Sequence, residues 1–195
     1  MKNIQITYLG HACFVVTNDD YSIILDPYKG VNGFKDIEGT YNEVLCSHDH
    51  FDHCYKEKIK IISKPSPFCI SFVDSYHDDV KGEKRGTNKI MIIDSGDKRI
   101  VHLGDLGHLL DLDTINKLSK VDVLLVPIGG TYTIDSTDAI KIINDINPRL
   151  IVPMHYKDGD KGLEVLEEID VFINKAKDYQ DRLRLVRGYR ESINI

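Results

Sequence analysis

Residues 3–9, 12–17 and 21–26 alternate polar with apolar side chains or run apolar, and turn signals separate them at Gly10 and at residues 18–20. Successive strand side chains point to opposite faces, so the chain is expected to open as an antiparallel meander ending at Asp26 and Pro27. A glycine-containing loop over 28–39 then leads to EVLC at 43–46, which reads as a short buried strand. Residues 56–62 look like a short helix stopped by Pro65. Strands return at 67–75, 89–94 and 99–103, the last two joined by a turn at Ser95, Gly96 and Asp97.

The pattern then changes. Residues 114–119 are a short helix candidate, and VDVLLVPIGG is a fully buried strand running into a double-glycine loop. Helical spacing over 136–146 starts at Ser136, a candidate N-cap, and stops at Asn147 and Pro148. LIVPMHY is a second buried strand, 161–176 reads as an amphipathic helix, and 183–186 as a closing strand. A meander followed by β-α-β alternation suits an α/β fold of two packed sheets with helices outside, layered αββα. The chain has no internal repeat, linker or low-complexity segment.

Composition narrows the function. At 195 residues and 42% hydrophobic, the chain fits one domain over 1–195 with a sizeable core. A net charge of -6 and a pI near 5.7 argue against nucleic acid as partner, since gripping phosphates needs a concentrated Lys/Arg field. The opening MKNIQITYLGHACFVV alternates like a strand instead of forming the apolar block of a signal peptide, and no run reaches transmembrane length, so no membrane partner is expected. The four cysteines, Cys13, Cys46, Cys54 and Cys69, lack CxxC pairing, and reduced thiols in a cytoplasm are the simplest account. Cys54 is expected to pack behind its neighbours without ligating.

Those neighbours carry the chemistry. SHDHFDHC at 47–54 puts His48, His50, Asp52 and His53 within six residues. On an extended backbone His48 and His50 point to the same side and can reach one cation. Asp52 and His53 follow on a turn and face a slightly different centre, which suggests two neighbouring metals. The cluster begins where the 43–46 strand ends, the place where α/β folds bind ligands. Further along, Asp105 ends IVHLGD and His155 ends LIVPMH. A carboxylate at a strand end can bridge two cations and offset their repulsion. One ligand place has three competitors: His102, which three residues before Asp105 faces the other side of its strand, His108 beyond Gly107, and His77 in CISFVDSYHDD.

The HxHxDH spacing resembles the signature of the metallo-β-lactamase superfamily, whose fold is the αββα sandwich. The resemblance implies His48, His50 and His77 around a first metal, Asp52, His53 and His155 around a second, and Asp105 between them. His77 is chosen because it matches the family's order of motifs. Two divalent ions are implied, zinc by default, with manganese or iron also suited to imidazole and carboxylate ligands. LGHA, with His11, and ILDP, whose Asp26 would support the metal loop, resemble the ascorbate-6-phosphate lactonase-like branch of small zinc-dependent hydrolases. The presence of Asp105 stands against a true β-lactamase, and His50 against a flavodiiron-type oxygen reductase.

The implied activity is hydrolysis of a small-molecule ester, lactone or phosphoester by a hydroxide shared between the metals, with Asp52 orienting it. His108, His11, Tyr132 and Tyr156 are candidates for the acid that assists the leaving group, and Gly129 and Gly130 for shaping the cleft wall. A phosphodiesterase or nuclease acting on a nucleotide or RNA is the alternative, and a non-catalytic metal-binding scaffold is a third.

Overall fold

The computed structural model describes residues 4–195; residue 3, where the first strand was expected to begin, lies outside the described residues. β1 (Ile4–Gly10), β2 (Cys13–Asn18) and β3 (Tyr21–Leu25) form the expected meander. Strand β4 (Gly39–Tyr41) precedes β5 (Glu43–Leu45), which joins β3 in parallel and delivers the chain to the SHDHFDHC loop. Residues 59–61 differ from the helix expected there: they are β6 (Ile59–Ile61), paired parallel with β4. Ile59 and Ile61 alternate with Lys60, and a neighbouring strand edge decided between the two readings.

β7 (Cys69–Tyr76), β8 (Thr87–Ser95) and β9 (Lys98–His102) run antiparallel in sequence. Two crossovers follow, through α1 (Leu112–Lys117) to β10 (Val123–Pro127) and through α2 (Ser136–Ile146) to β11 (Leu150–Met154). β9, β10 and β11 are mutually parallel, giving the order β11-β10-β9-β8-β7. The α2 cap is Asp135, whose carboxylate accepts from the Thr137 and Asp138 N–H groups, and not Ser136. Ser136 is buried and donates its hydroxyl to Glu167 at 2.9 Å.

The amphipathic helix expected over 161–176 is only α3 (Ile169–Lys175). Residues before it are held as a loop, with Glu167 N–H donating to the Gly129 carbonyl at 2.9 Å. The expected closing strand at 183–186 makes a single bridge, Leu183 to Ile151. β12 (Ser192–Asn194) instead closes the first sheet, in the order β12-β1-β2-β3-β5.

The two sheets stack face to face. Ile4, Ile6, Tyr8, Phe14 and Val16 of the first meet Met91, Ile93, Val123, Leu125 and Val152 of the second. The opposite-facing Leu124 and Val126 of β10 pack under the helices with Ile142, Ile143 and Phe172, which explains a strand that is apolar at every position. On the outer face of the first sheet, the covering residues Tyr28, Val31 and Ile37 come from the loop after β3. The sandwich is therefore covered by helices and loops on one side and by loop alone on the other.

Candidate metal centre

The candidate ligands all leave the sandwich along one edge, at the ends of strands. His11 follows β1, the SHDHFDHC loop follows β5, His77 follows β7, Asp105 lies three residues past β9, and His155 follows β11. His11, Asp26 and His155 hold left-handed backbone conformations, with φ of 56, 45 and 54°. Such conformations cost a non-glycine residue about 1–3 kcal/mol each and cluster where a side chain must be aimed.

Asp105 is the point of convergence. Its Oδ2 lies 3.2 Å from Nε2 of His77, of His53 and of His155, and 4.0 Å from Nε2 of His48. Three overlapping donor sets meet around it, His48, His50 and His77, then His11, Asp52, His53 and His155, and also His48, His53 and Asp105, each with ligand atoms within 4.8 Å of one another. His11 Nε2 is 3.5 Å from Asp52 Oδ2, and His53 Nε2 is 3.9 Å from it. The structure thus brings all seven residues of the expected ligand set together and adds His11, which the sequence had offered only as an acid. Its signal was the glycine before it in LGHA, which turns the chain after β1.

The donors fit a cation. Nε2 of His11, His48, His53 and His155 and Oδ1 of Asp105 are buried with no hydrogen-bond partner. Buried polar atoms are normally paired, so a convergent group without partners has the chemistry of a metal site. The outward nitrogens explain the aim. Asp26 accepts from Ser47 N–H (2.7 Å), from the Ser47 hydroxyl (2.6 Å) and from His53 Nδ1–H (2.8 Å). Because the single Ser47 proton goes to Asp26, His48 Nδ1–H donates to Ser47 Oγ at 2.9 Å. His77 Nδ1–H donates to the Tyr132 carbonyl at 3.0 Å. In all three rings the bond at Nδ1 turns Nε2 toward Asp105.

The electrostatics divide the rings: burial would lower His53 and His77, but the Asp105 carboxylate outweighs it and raises both. Burial alone would raise the Asp105 carboxyl, but His155 and His53 outweigh it and hold the group well below the usual range. Burial, helped by His155, lowers His11 to about 4, and burial with His53 lowers His48 to about 3. Those two rings are neutral at pH 7, the form that ligates. His11 therefore has no imidazolium proton to give a leaving group there.

His108 is half-buried, donates Nδ1–H to the Leu109 carbonyl at 2.8 Å and accepts from Tyr76 N–H at 3.3 Å. Both nitrogens are engaged and it does not line the cleft, so the geometry gives it no catalytic position. His102 is a core residue, donating Nε2–H to the Ala12 carbonyl at 2.8 Å and accepting from Gly104 N–H at 3.0 Å. Tyr156 is buried and donates to the Val186 carbonyl at 3.0 Å, whereas Tyr132 lines the cleft. Gly129 is required by proximity: a Cβ there would meet the His155 carbonyl oxygen at 2.2 Å.

Three features were missed in the sequence. Asn88, buried on β8, accepts from Asp105 N–H at 2.9 Å and donates to Ser75 Oγ and the Leu103 carbonyl, fixing the turn that carries Asp105. Asp78, directly after His77, accepts from four backbone N–H groups, of Val80, Gly82, Lys84 and Arg85. Cys46 and Cys54, expected as thiols, are joined by a disulfide across the ligand loop, whose return brings their Cα atoms to 5.4 Å. Only Cys13 and Cys69 remain free, so reduced thiols no longer support a cytoplasmic setting as a set. Among the described residues no helix is long and apolar enough to cross a membrane.

Fold and site together define a metal-dependent hydrolase of the metallo-β-lactamase fold. Residues 5–155 match the model of the β-lactamase superfamily domain, and the chain belongs to that family. A UPF0173 metal-dependent hydrolase of Desulforamulus reducens is 27% identical over 192 residues, covering 78% of this chain and 84% of the relative. One from Caldivirga maquilingensis is 30% identical over 185 residues, covering 77% and 81%. Among solved structures, a Thermotoga maritima protein of the metallo-β-lactamase superfamily superposes with a TM-score of 0.70 at 30% identity, covering 88% of this chain and 85% of that one. A metallo hydrolase of Ignicoccus hospitalis shares the fold, with a TM-score of 0.72 at 21% identity over 99% of this chain and 98% of its own.

Proposed function

We propose that the protein hydrolyses a small ester, lactone or phosphoester at a centre of two divalent cations, zinc first among them. The observation that carries this reading is the position of Asp105 Oδ2, 3.2 Å from three imidazole nitrogens that belong to two different donor sets. His48, His50 and His77 would hold one ion, His11, Asp52, His53 and His155 the other, and Asp105 would touch both. When bound, such a pair supplies an activated water and polarises the scissile oxygen.

The chain's own residues do the rest. Asp52, beside His11 and lining the cleft, is placed to accept a proton from the attacking water and to hold its orientation. Tyr132, which also lines the cleft, is the hydroxyl available to the leaving group. The cleft, about 670 Å³, is of a size that holds a small molecule. LGHA and ILDP, now seen to supply His11 and Asp26 to the site, favour the lactonase-like branch within this reading.

Elemental analysis of zinc-loaded protein and turnover against a panel of lactones, carboxylic esters and phosphodiesters test the proposal. Two ions per chain with turnover of a lactone or ester is the expected result. Turnover of phosphodiesters alone would favour the alternative activity, and two ions with no turnover at all would favour a scaffold.

A further inference from the structure

The four ligands of the SHDHFDHC loop are not held equally. His53 Nδ1–H donates to Asp26, His48 Nδ1–H donates to Ser47 Oγ, and Asp52 lies against His11. His50 is exposed, and among the described residues its ring has no hydrogen-bond partner; its aromatic neighbours are the rings of two other donors, His48 and His77, with centroids 4.5 and 5.5 Å away. What aims His50 is the backbone at the far end of the loop. Its carbonyl accepts the N–H groups of His53 at 3.1 Å and of Cys54 at 2.8 Å, closing the turn that carries Phe51 and Asp52.

Cys54 is in turn fastened to the loop's fixed entrance. Ser47 gives its N–H to Asp26 at 2.7 Å and takes the Lys89 N–H on its carbonyl at 2.9 Å, so the chain next to Cys46 is anchored to both sheets. The disulfide carries that anchorage across to Cys54 and, through the Cys54 N–H, to His50. The two cysteines are 8 positions apart, and all four ligands of the loop lie between them. A cross-link over so short a segment removes most of its freedom. Two further backbone bonds reach the loop, from Lys29 N–H to the Phe51 carbonyl at 3.0 Å and from Tyr55 N–H to the Pro27 carbonyl at 2.8 Å. Opening the disulfide therefore loosens the loop without unfolding it.

The bond is within reach of solvent. Cys46 and Cys54 are half-buried, and together with Lys56, Lys89 and Arg85 they line a recess of about 560 Å³ that adjoins the cleft at His50. Three cations at its wall favour the approach of a thiolate.

We propose that Cys46–Cys54 is a site of thiol–disulfide exchange and that its opening frees His50. Resting on the two-ion reading above, this weakens the ion on His48, His50 and His77. The ion on His11, Asp52, His53 and His155, where Asp26 braces His53, is kept. The co-reactant is a dithiol. One of its thiolates attacks a cysteine sulfur and breaks the S–S bond, and its second thiol resolves the mixed disulfide. Two electrons and two protons pass to the protein cysteines, and the dithiol leaves as a disulfide.

Zinc binding in two redox states tests it without a substrate. Thiols counted in the denatured, air-oxidised protein should number two, Cys13 and Cys69, and four after dithiothreitol. With dithiothreitol removed under nitrogen, competition with a zinc indicator should show one of two binding steps weakened at least about tenfold, the size of losing a partner behind a ligand, and the other unchanged. Reoxidation should restore it. The double variant Cys46→Ser, Cys54→Ser should bind zinc as the reduced protein does and ignore dithiothreitol, which separates a loosened loop from ligation by the freed thiols. In His50→Ala the same step should be weak in both states. Four thiols in the air-oxidised protein, or zinc affinity that is equal or tighter after reduction, overturns the inference. So does a dithiothreitol effect that persists in the double variant, or at full size in His50→Ala. Two zinc ions bound equally in both states leave the metal-centre reading standing, whereas no zinc in either state sinks both.

Discussion

Asp105 Oδ2 lies 3.2 Å from His77 Nε2, although the two residues follow different strands of the second sheet and are separated by the whole β8–β9 hairpin. His53 and His155 approach the same oxygen at the same distance. One carboxylate oxygen thus answers three imidazoles from three strand ends, and this convergence gives the first prediction.

Asp105→Asn keeps the shape of the side chain and removes the charge that offsets two adjacent cations. Bound metal should fall from two ions toward one per chain, and turnover should fall by about 100-fold or more, the scale of losing one preorganised electrostatic partner. Metal content by elemental analysis and kinetics on the same preparation check this; two tightly held ions in the variant would refute the bridging role.

The two disputed histidines separate cleanly. His11→Ala should weaken the second ion, because its Nε2 shares a donor set with Asp52, His53 and His155. His108→Ala should leave metal content and turnover near wild type, since its nitrogens are spent on Leu109 and Tyr76. Chelator competition measures the first. An inactive but fully metallated His108 variant would return it to the catalytic machinery.

Asp26 touches neither ion in the proposed arrangement, yet it fixes Ser47 and His53, and through Ser47 also His48. An amide at this position offers one acceptor oxygen in place of two. Asp26→Asn is expected to lower metal affinity by about 10- to 100-fold, as removing a partner behind a ligand does. Zinc titration against a competing indicator reads it, and unaltered affinity would mean that the rings are held by packing alone.

His102→Ala tests a structural role by contrast. It removes a buried hydrogen bond to Ala12, leaves Gly104 N–H without its acceptor and opens a cavity behind Phe14. A loss of about 2–4 kcal/mol in denaturant unfolding is expected, with zinc stoichiometry unchanged. Depletion of one ion with stability intact would make His102 a ligand after all.

Much of this was written locally. Alternation from Ile4 to Leu25 specified the meander, and the apolar run of β10 specified a strand buried on both faces. Where local pattern misled, a distant partner had the deciding vote. Ile59–Ile61 became a strand because β4 offered an edge, and most of 161–168 stayed a loop because Gly129 accepts from Glu167. The α2 cap moved by one residue because Ser136 is turned inward to Glu167 while Asp135 faces the open N–H groups.

By itself the sequence determined the kinds of ligand and their grouping in SHDHFDHC, since side-chain chemistry and the direction of alternate residues are local properties. It also determined that β10 would be buried throughout, whereas the strand at 43–46, read as buried too, is mostly half-buried. Only the tertiary structure decided that His11 joins the second donor set, that Cys46 meets Cys54, and that Asn88 and Asp78 hold the loops carrying Asp105 and His77. Those relations depend on which strand ends lie side by side, which is fixed by burying both sheets against each other and leaves no periodic trace along the chain.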